Sequence, residues 1–599
     1  MKWHQAPLGA RVEAGGVRFA AWSDTAQTLS VVLYDARGQI EREARLERLE
    51  NGHFFEAVVP GLGAGARYHF RLDEQIAVDP YARALPAGVH GPAEVCAPLG
   101  ERATPGRRID LDGCEVFYEL HVGTFTTEGT FRSAIERLPE LRALGVTAVE
   151  LMPIAAFAGT RGWGYDGVGW FAPFAPYGSP SDLKRLIDAV HEQGMSIVLD
   201  VVYNHFGPDG NALPAFSGSY FDASGHNAWG QKPALNHVAF RSLVLSNVHY
   251  WLHEVGFDGL RLDATHELEP GGTPHILREL SDVAHACDPP AVLIAEDSRN
   301  DPKTLLGYGI DAVWSDDFHH VMHVLLTHEQ DGYYRAFSGD LQEVARVVER
   351  GQLFEGEGEP ARARGKATTG IPLSRFLFAL QNHDQVGNRA RGERLHDLSD
   401  FLAYRAASLL FLLLPATPLL FMGQEWAATT PFLFFSDHEG ELGERVSHGR
   451  RAEFQHFLAF RDAPPETIPD PQDAVTFERS KLDWTERERA EHHATLTLYQ
   501  RALELRRSDP VLRAASELSV GIIDGVLWVL RRSTSGERLL LFNPSADARS
   551  FPEVAGRSAD DAAALLSTHS SPLTRHTFEA APASASLFAL GERGQRGAT

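Results

Sequence analysis

The sequence predicts a multidomain α/β and β protein: a (β/α)8 TIM barrel flanked by N-terminal and C-terminal antiparallel β-sandwich domains. Three observations predict it. Up to about Ala93 the chain carries short alternating runs (VRFAAW, LSVVLYD, HFFEAVV, ARYHFRL) punctuated by Gly, Pro and Asp, as strands with one buried face do. After Gly113 apolar strand-like runs alternate with longer amphipathic stretches, which implies a parallel sheet with crossover helices. Near the end, short strands return (ELSVGIID, VLWVLRR, RLLLFN, ASLFAL).

The resulting division is an N-terminal sandwich over 1–95, a barrel over 96–510 and a C-terminal sandwich over 511–599. Residues Pro92 to Gly113, rich in Pro, Gly and Arg, read as a linker. The barrel strands are expected at Val116–Leu120, Ala148–Met152, Ser196–Val201, Gly259–Asp263, Val292–Glu296, Ala312–Trp314, Phe376–Leu380 and Leu419–Met422. Helices are expected at Phe131–Leu144, Asp182–Gln193, Phe240–Val255, His275–Cys287, Phe401–Leu413 and His493–Arg507. The connections 153–181, 203–239 and 423–490 are long, and long loops at the C-terminal face of such a barrel build substrate sites.

Composition narrows the function classes. With 56 basic against 80 acidic residues and a net charge of -24, a nucleic-acid backbone or an anionic membrane is a poor partner. Cys96, Cys114 and Cys287 are too few for a disulfide framework and lack metal-ligand spacing. The opening MKWHQAPLGARVEAGG has no apolar stretch of the signal-peptide kind, and the greasy run Leu409–Phe421 is broken by Pro415 and Pro418. These features predict a soluble cytoplasmic protein.

Titratable residues gather at the expected C-terminal strand ends in DVVYNH (Asp200 to His205), GFDGLRLDA (Gly256 to Ala264), LIAED (Leu293 to Asp297) and QNHDQ (Gln381 to Gln385). In GLRLD, alternation puts Arg261 and Asp263 on one face, where the guanidinium would keep the carboxylate ionised; a structural ion pair is the competing explanation. Glu296 ends an apolar strand, and partial burial there would raise its pKa toward that of a proton donor. Asp384 beside His383 adds a third carboxylate. One ionised and one protonated carboxyl about 5 Å apart are the apparatus of a retaining glycosidase.

These four clusters, in this order and spacing, resemble the signature regions of the α-amylase family of glycoside hydrolases, over the whole barrel. The resemblance implies Asp263 as nucleophile, Glu296 as general acid and base, and Asp384 as transition-state stabiliser. Arg261, His205, His383 and Gln385 would bind substrate, with Tyr165 of the WGYDG segment as the aromatic platform. Asp200 and Asn204 would hold the site from behind. Asn204 often belongs to a calcium site in amylases, but further oxygen ligands come there from a large inserted domain. Here the loop runs only from about Phe206 to Val238, so no metal and no cofactor are expected.

Three further segments, QNHDQVGNRARGERL (381–395), VWSDDFHH (313–320) and PLLFMGQEWAATTPFLFFSDH (418–438), look like those of the family's trehalose-releasing members. That likeness implies maltooligosyltrehalose as substrate, trehalose as product, and a maltooligosyltrehalose synthase as pathway partner. It adds His319 and His320 as sugar contacts, with Asp316 and Asp317 beside them and Asp317 taken as the binding residue; a monomer is expected as the working state. Gln424 departs from the MGEEW form of the last segment. A branching or debranching enzyme of the same family, or a non-catalytic glucan-binding protein, is the alternative; a branching enzyme more typically has Ser-His-Asp where Asn382, His383 and Asp384 stand.

Overall fold

A computed structural model describes residues 8–50, 52–100, 104, 106–227, 230–357, 364–454, 467–513, 517–574 and 576–591. The ends of the two flanking domains as read from the sequence, 1–7 and 592–599, lie outside the described residues, as does the start of the segment read for a signal peptide. Eight parallel strands close into a barrel in chain order: β1 (Phe117–Leu120), β2 (Ala148–Leu151), β3 (Ser196–Val201), β4 (Gly259–Leu262), β5 (Val292–Ala295), β6 (Ala312–Trp314), β7 (Phe376–Phe378) and β8 (Thr417–Phe421).

Alternation along each strand decides what fills the barrel. Phe117, Ala148, Val198, Ile294, Ala312, Leu377 and Leu419 form one buried apolar cluster, which Ile109 and Leu111 join from the segment before β1. Each large apolar side chain so buried contributes about 1.5–3 kcal/mol relative to exposure, so the lower barrel is packed core. Two residues further along β1 to β4, the same inward face carries Glu119, Glu150, Asp200 and Arg261, all buried. The register sets Glu119 beside Glu150 and Asp200 beside Arg261.

Some elements differ from expectation for local reasons. The helix expected over 131–144 is two, Phe131–Ile135 and Leu138–Leu144. Pro139 lacks an N–H and its ring would meet the carbonyl of Ile135, so one continuous helix is excluded. The helix expected over 240–255 begins at Val238, after a His237 cap, and its last turn widens into a π-helix over Tyr250–Val255. Helices Asp316–Thr327 and Leu341–Arg350 and the hairpin Phe221–Asn227 with Gly230–Pro233 are absent from the sequence-based reading.

Before the barrel, a four-stranded sheet (Gly9–Glu13, Gly16–Trp22, Phe54–Pro60, Glu47–Arg48) faces a second sheet built on Leu29–Tyr34 and Arg67–Leu72. This pair docks on the connection after β3: Trp22 packs edge-on to Tyr220 at 5.5 Å, and Ser23 Oγ donates to the Phe216 carbonyl at 2.6 Å. After the barrel, a five-stranded antiparallel sheet (Glu517–Ile523, Val526–Ser533, Gly536–Asn543, Ser584–Leu590, Ala562–Ser567) is tied back by Arg531, which donates to the Leu413 carbonyl at 3.0 Å. Among the described residues no helix is long and apolar enough to cross a membrane.

Candidate active site

Arg261 organises the barrel mouth. It is fully buried on β4, and its fork contacts three carboxylates: Nη1 donates to Asp200 at 2.6 Å and to Asp263 at 3.0 Å, while Nη2 donates to Glu296 at 2.6 Å. The face of Trp314, at the end of β6, lies 4.1 Å from its guanidinium carbon. Asp263 and Glu296 follow directly on β4 and β5 and keep 14% and 19% of their side chains exposed, enough to meet a ligand from the loop side.

Each carboxylate has a second anchor. Asn204 Nδ2 donates to Asp263 Oδ2 at 2.6 Å, and the backbone N–H of Ala264 donates to Glu296 at 3.0 Å. Ala264 makes that contact from the left-handed region, φ +40°, a conformation that costs a non-glycine residue about 1–2 kcal/mol. The strain is spent on aiming one N–H at Glu296. Burial, reinforced by the Asp263, Asp384 and Asp316 charges and opposed by Arg261, holds the Glu296 carboxyl well above the ordinary carboxylate range. Burial likewise pushes Asp200 up to about 6, against Arg261.

A second chain of contacts runs from His383. Its Nδ1 donates to Glu119 at 2.5 Å and its Nε2 to the Tyr165 hydroxyl at 2.8 Å, which in turn donates to Asp200 at 2.6 Å. Burial alone would lower the His383 pKa, but the Asp384 and Glu119 carboxylates outweigh it and hold the imidazolium well above its usual range. Asp384 resists burial through the same imidazolium and lies at about 2. Tyr165 stacks on His383 with ring centres 5.1 Å apart. It is presented by Gly164 at φ +101°, where a Cβ would sit 2.1 Å from the Pro153 carbonyl oxygen, so only glycine makes that turn.

The structure thus brings Asp263, Glu296, Asp384, Arg261, His383, Tyr165, Asp200 and Asn204 together. His205 joins them from behind, its ring nitrogens against the Asn204 amide oxygen and the Tyr165 carbonyl. Gln385 lies in the short helix His383–Gly387, its backbone N–H donated to Asn382. Asp317 and His319 are buried in the protein and turned to internal partners. Asp317 is buried under Asn300, the Leu353 N–H and Arg364, and His319 lies between the Leu380 carbonyl at 2.6 Å and the Tyr334 hydroxyl at 3.2 Å. His320 packs against Tyr334 and Phe337, and burial pushes it down to about 3.

Helical phase explains this: consecutive residues diverge by about 100°, so Asp316 and Asp317 cannot face the same side. The one that interacts with Glu296 and Asp384 is Asp316, pushed up to about 7 by burial and by the Asp384 and Asp317 charges. Asp316→Asn should lower the Glu296 pKa and move the alkaline limb of kcat/KM to lower pH; an unmoved limb contradicts this coupling. Glu119, which fixes His383, was equally hidden from sequence reasoning inside the strand FYEL. Gln424 is sealed from solvent, donating to Tyr499 at 3.1 Å and accepting from the Phe421 N–H at 3.2 Å. Among the described residues no three His, Cys, Asp or Glu side chains are grouped to hold a metal.

Known proteins carry the same plan. A family model for the alpha amylase catalytic domain matches residues 105–223, and one for carbohydrate-binding module 48 (isoamylase N-terminal domain) matches 7–82. The malto-oligosyltrehalose trehalohydrolase of Deinococcus radiodurans is 46% identical over 91% of this chain and 91% of its own length. That of Arthrobacter ramosus is 42% identical over 85% and 90%. The chain belongs to the malto-oligosyltrehalose trehalohydrolase family, within the α-amylase family of glycoside hydrolases. A crystal structure from Salmonella typhimurium, named provisionally as an alpha amylase, matches at a TM-score of 0.85 with 35% identity over 97% of this chain and 99% of that one. In this family's terms, the module-48 match falls on the sandwich that braces the connection after β3, and the catalytic-domain match covers β1 to β3.

Proposed function

We propose that this chain hydrolyses the α-1,4-glucosidic bond next to the terminal trehalose unit of maltooligosyltrehalose, releasing trehalose and a maltooligosaccharide with retained configuration. The observation that carries the mechanism is the single guanidinium of Arg261 contacting both Asp263 and Glu296. Sharing one fork draws the two carboxyls together, as the ~5 Å spacing of retaining enzymes requires.

Asp263, oriented by Arg261 and Asn204, attacks the anomeric carbon while the bond to the trehalose oxygen breaks. Glu296 gives its proton to that departing oxygen, and trehalose leaves first. Water then attacks the same carbon, Glu296 takes the water's proton, and the Asp263 ester bond breaks to free the glucan. Asp384, anchored by Asn388 at 3.1 Å, opposes the developing positive charge and binds sugar hydroxyls. Tyr165 stacks beneath the sugar whose bond is cut. Arg261, His383 and Gln385 complete the contacts, and Asp200, Asn204 and His205 hold them in place.

The wider reading is a cytoplasmic monomer divided at about 95 and 510, working after a maltooligosyltrehalose synthase, without metal, cofactor, nucleic acid or membrane. The alternative is a glucan branching enzyme of the same family. Incubation with maltotriosyltrehalose should yield free trehalose and maltotriose, and incubation with amylose no new α-1,6 branches. Branches in amylose without trehalose release would overturn the reading.

A further inference from the structure

Beneath the mouth, the barrel holds a group of polar atoms that the proposed mechanism leaves unused. Glu150 on β2 is fully buried, and neither of its carboxyl oxygens has a hydrogen-bond partner in the protein. On the adjoining strands the second oxygen of Asp200 and the Nε of Arg261 are equally buried and unpartnered, and so is the indole N–H of Trp314, whose ring lies over Arg261. All four side chains project inward from β2, β3, β4 and β6. Together they offer donors (Nε–H, the indole N–H) and acceptors (the Asp200 and Glu150 oxygens), the two to four polar partners that an interior water needs.

A bare Glu150 carboxylate at this place would face Glu119 in register beside it and Asp200 above it. Arg261 is already committed to three other carboxylates, and His383 to Glu119 and Asp384. Leaving such a charge unpaired and buried is far costlier than burying the neutral acid. The same conclusion follows from burial and the Glu119 and Asp200 charges, which drive the Glu150 carboxyl well above the ordinary range.

We propose that Glu150 is a neutral positioning residue that, with Asp200, the Nε of Arg261 and the Trp314 indole, binds ordered water under the catalytic carboxylates. The water completes the hydrogen bonds of Asp200 and Arg261 from below, so that the Arg261 fork is fixed toward Asp263 and Glu296. The neutral Glu150 supports that array without adding a further negative charge beside the one guanidinium. The effect on catalysis rests on the hydrolase reading above; the protonation state of Glu150 does not.

Two arms test it separately. In the infrared difference spectrum of wild type minus Glu150→Gln near pH 7, a protonated-carboxyl C=O band should remain, over and above the absorption of Glu296 and Asp316 common to both proteins; no such band in the difference overturns the neutral state whatever the enzyme's activity. In trehalose release from maltotriosyltrehalose, Glu150→Gln should stay within about threefold of wild-type kcat, since a neutral amide still binds water. Glu150→Leu should lose at least tenfold in kcat with KM changed less than threefold, and its pH–rate profile should shift. A Glu150→Leu enzyme with wild-type kcat and profile, or a Glu150→Gln enzyme as damaged as Glu150→Leu, overturns the positioning role. If Glu150→Leu does not fold, the infrared band and the Glu150→Gln kinetics still decide.

Discussion

Asp263→Asn should reduce trehalose release from maltotriosyltrehalose by about 10⁴-fold or more, with the fold and melting temperature little changed, because it removes the nucleophile and leaves the Arg261 and Asn204 anchors in place. Glu296→Gln should cost about 10²–10⁴-fold on the same substrate, the range of a lost general acid. The two variants separate on a substrate whose leaving group needs no proton. With α-maltotriosyl fluoride, Glu296→Gln should form the covalent glycosyl-enzyme nearly as fast as wild type and release it slowly, whereas Asp263→Asn should fail on both substrates. Formation of the glycosyl-enzyme slowed as much on the fluoride as on maltotriosyltrehalose in Glu296→Gln would contradict its part as acid. Wild-type kcat/KM should also fall as pH rises through the raised Glu296 value, because the active form carries the proton; Asp384, ionised down to about 2, sets no acid limb near neutrality.

Arg261→Met should be the most damaging change outside the carboxylates. It leaves Asp200, Asp263 and Glu296 without the guanidinium that each contacts within 3.0 Å. Removing one partner of a buried charge network costs about 3–5 kcal/mol, and the remaining carboxyls would take up protons to escape. The nucleophile and the acid also lose the one group that aligns both, so kcat/KM should fall by at least about 10³-fold, the scale of a lost preorganised electrostatic group. Arg261→Lys should recover stability better than turnover, since a single ammonium cannot fork to three carboxylates. Thermal melts beside kinetics decide the point. Arg261→Met within tenfold of wild type would refute the organising role.

The legible part of this site is the part that obeys strand periodicity. Arg261 and Asp263 share a face in GLRLD, and Glu296 caps an apolar strand, so alternation alone sets three of the decisive groups at one barrel end. Alternation also decides that Glu119 and Glu150 point inward, yet an isolated Glu in FYEL or AVEL carries no sign of its partner; His383 reaches Glu119 across 264 positions of chain. Helical phase is the second blind spot. Asp316 and Asp317 are chemically identical neighbours, and only the start of the helix after β6 turns one toward Glu296 and buries the other under Arg364. The two flanking sheets were readable from their turns, but the docking of Trp22 on Tyr220 depends on a connection whose hairpin has no strong sequence signature.

The most direct test of the whole account is to follow hydrolysis of maltotriosyltrehalose by proton NMR in its first minutes, before the released sugar mutarotates. Double displacement through Asp263 predicts trehalose together with maltotriose that appears first as the α-anomer and only later equilibrates. Maltotriose appearing first as the β-anomer, or bond cleavage that yields no trehalose, would contradict it.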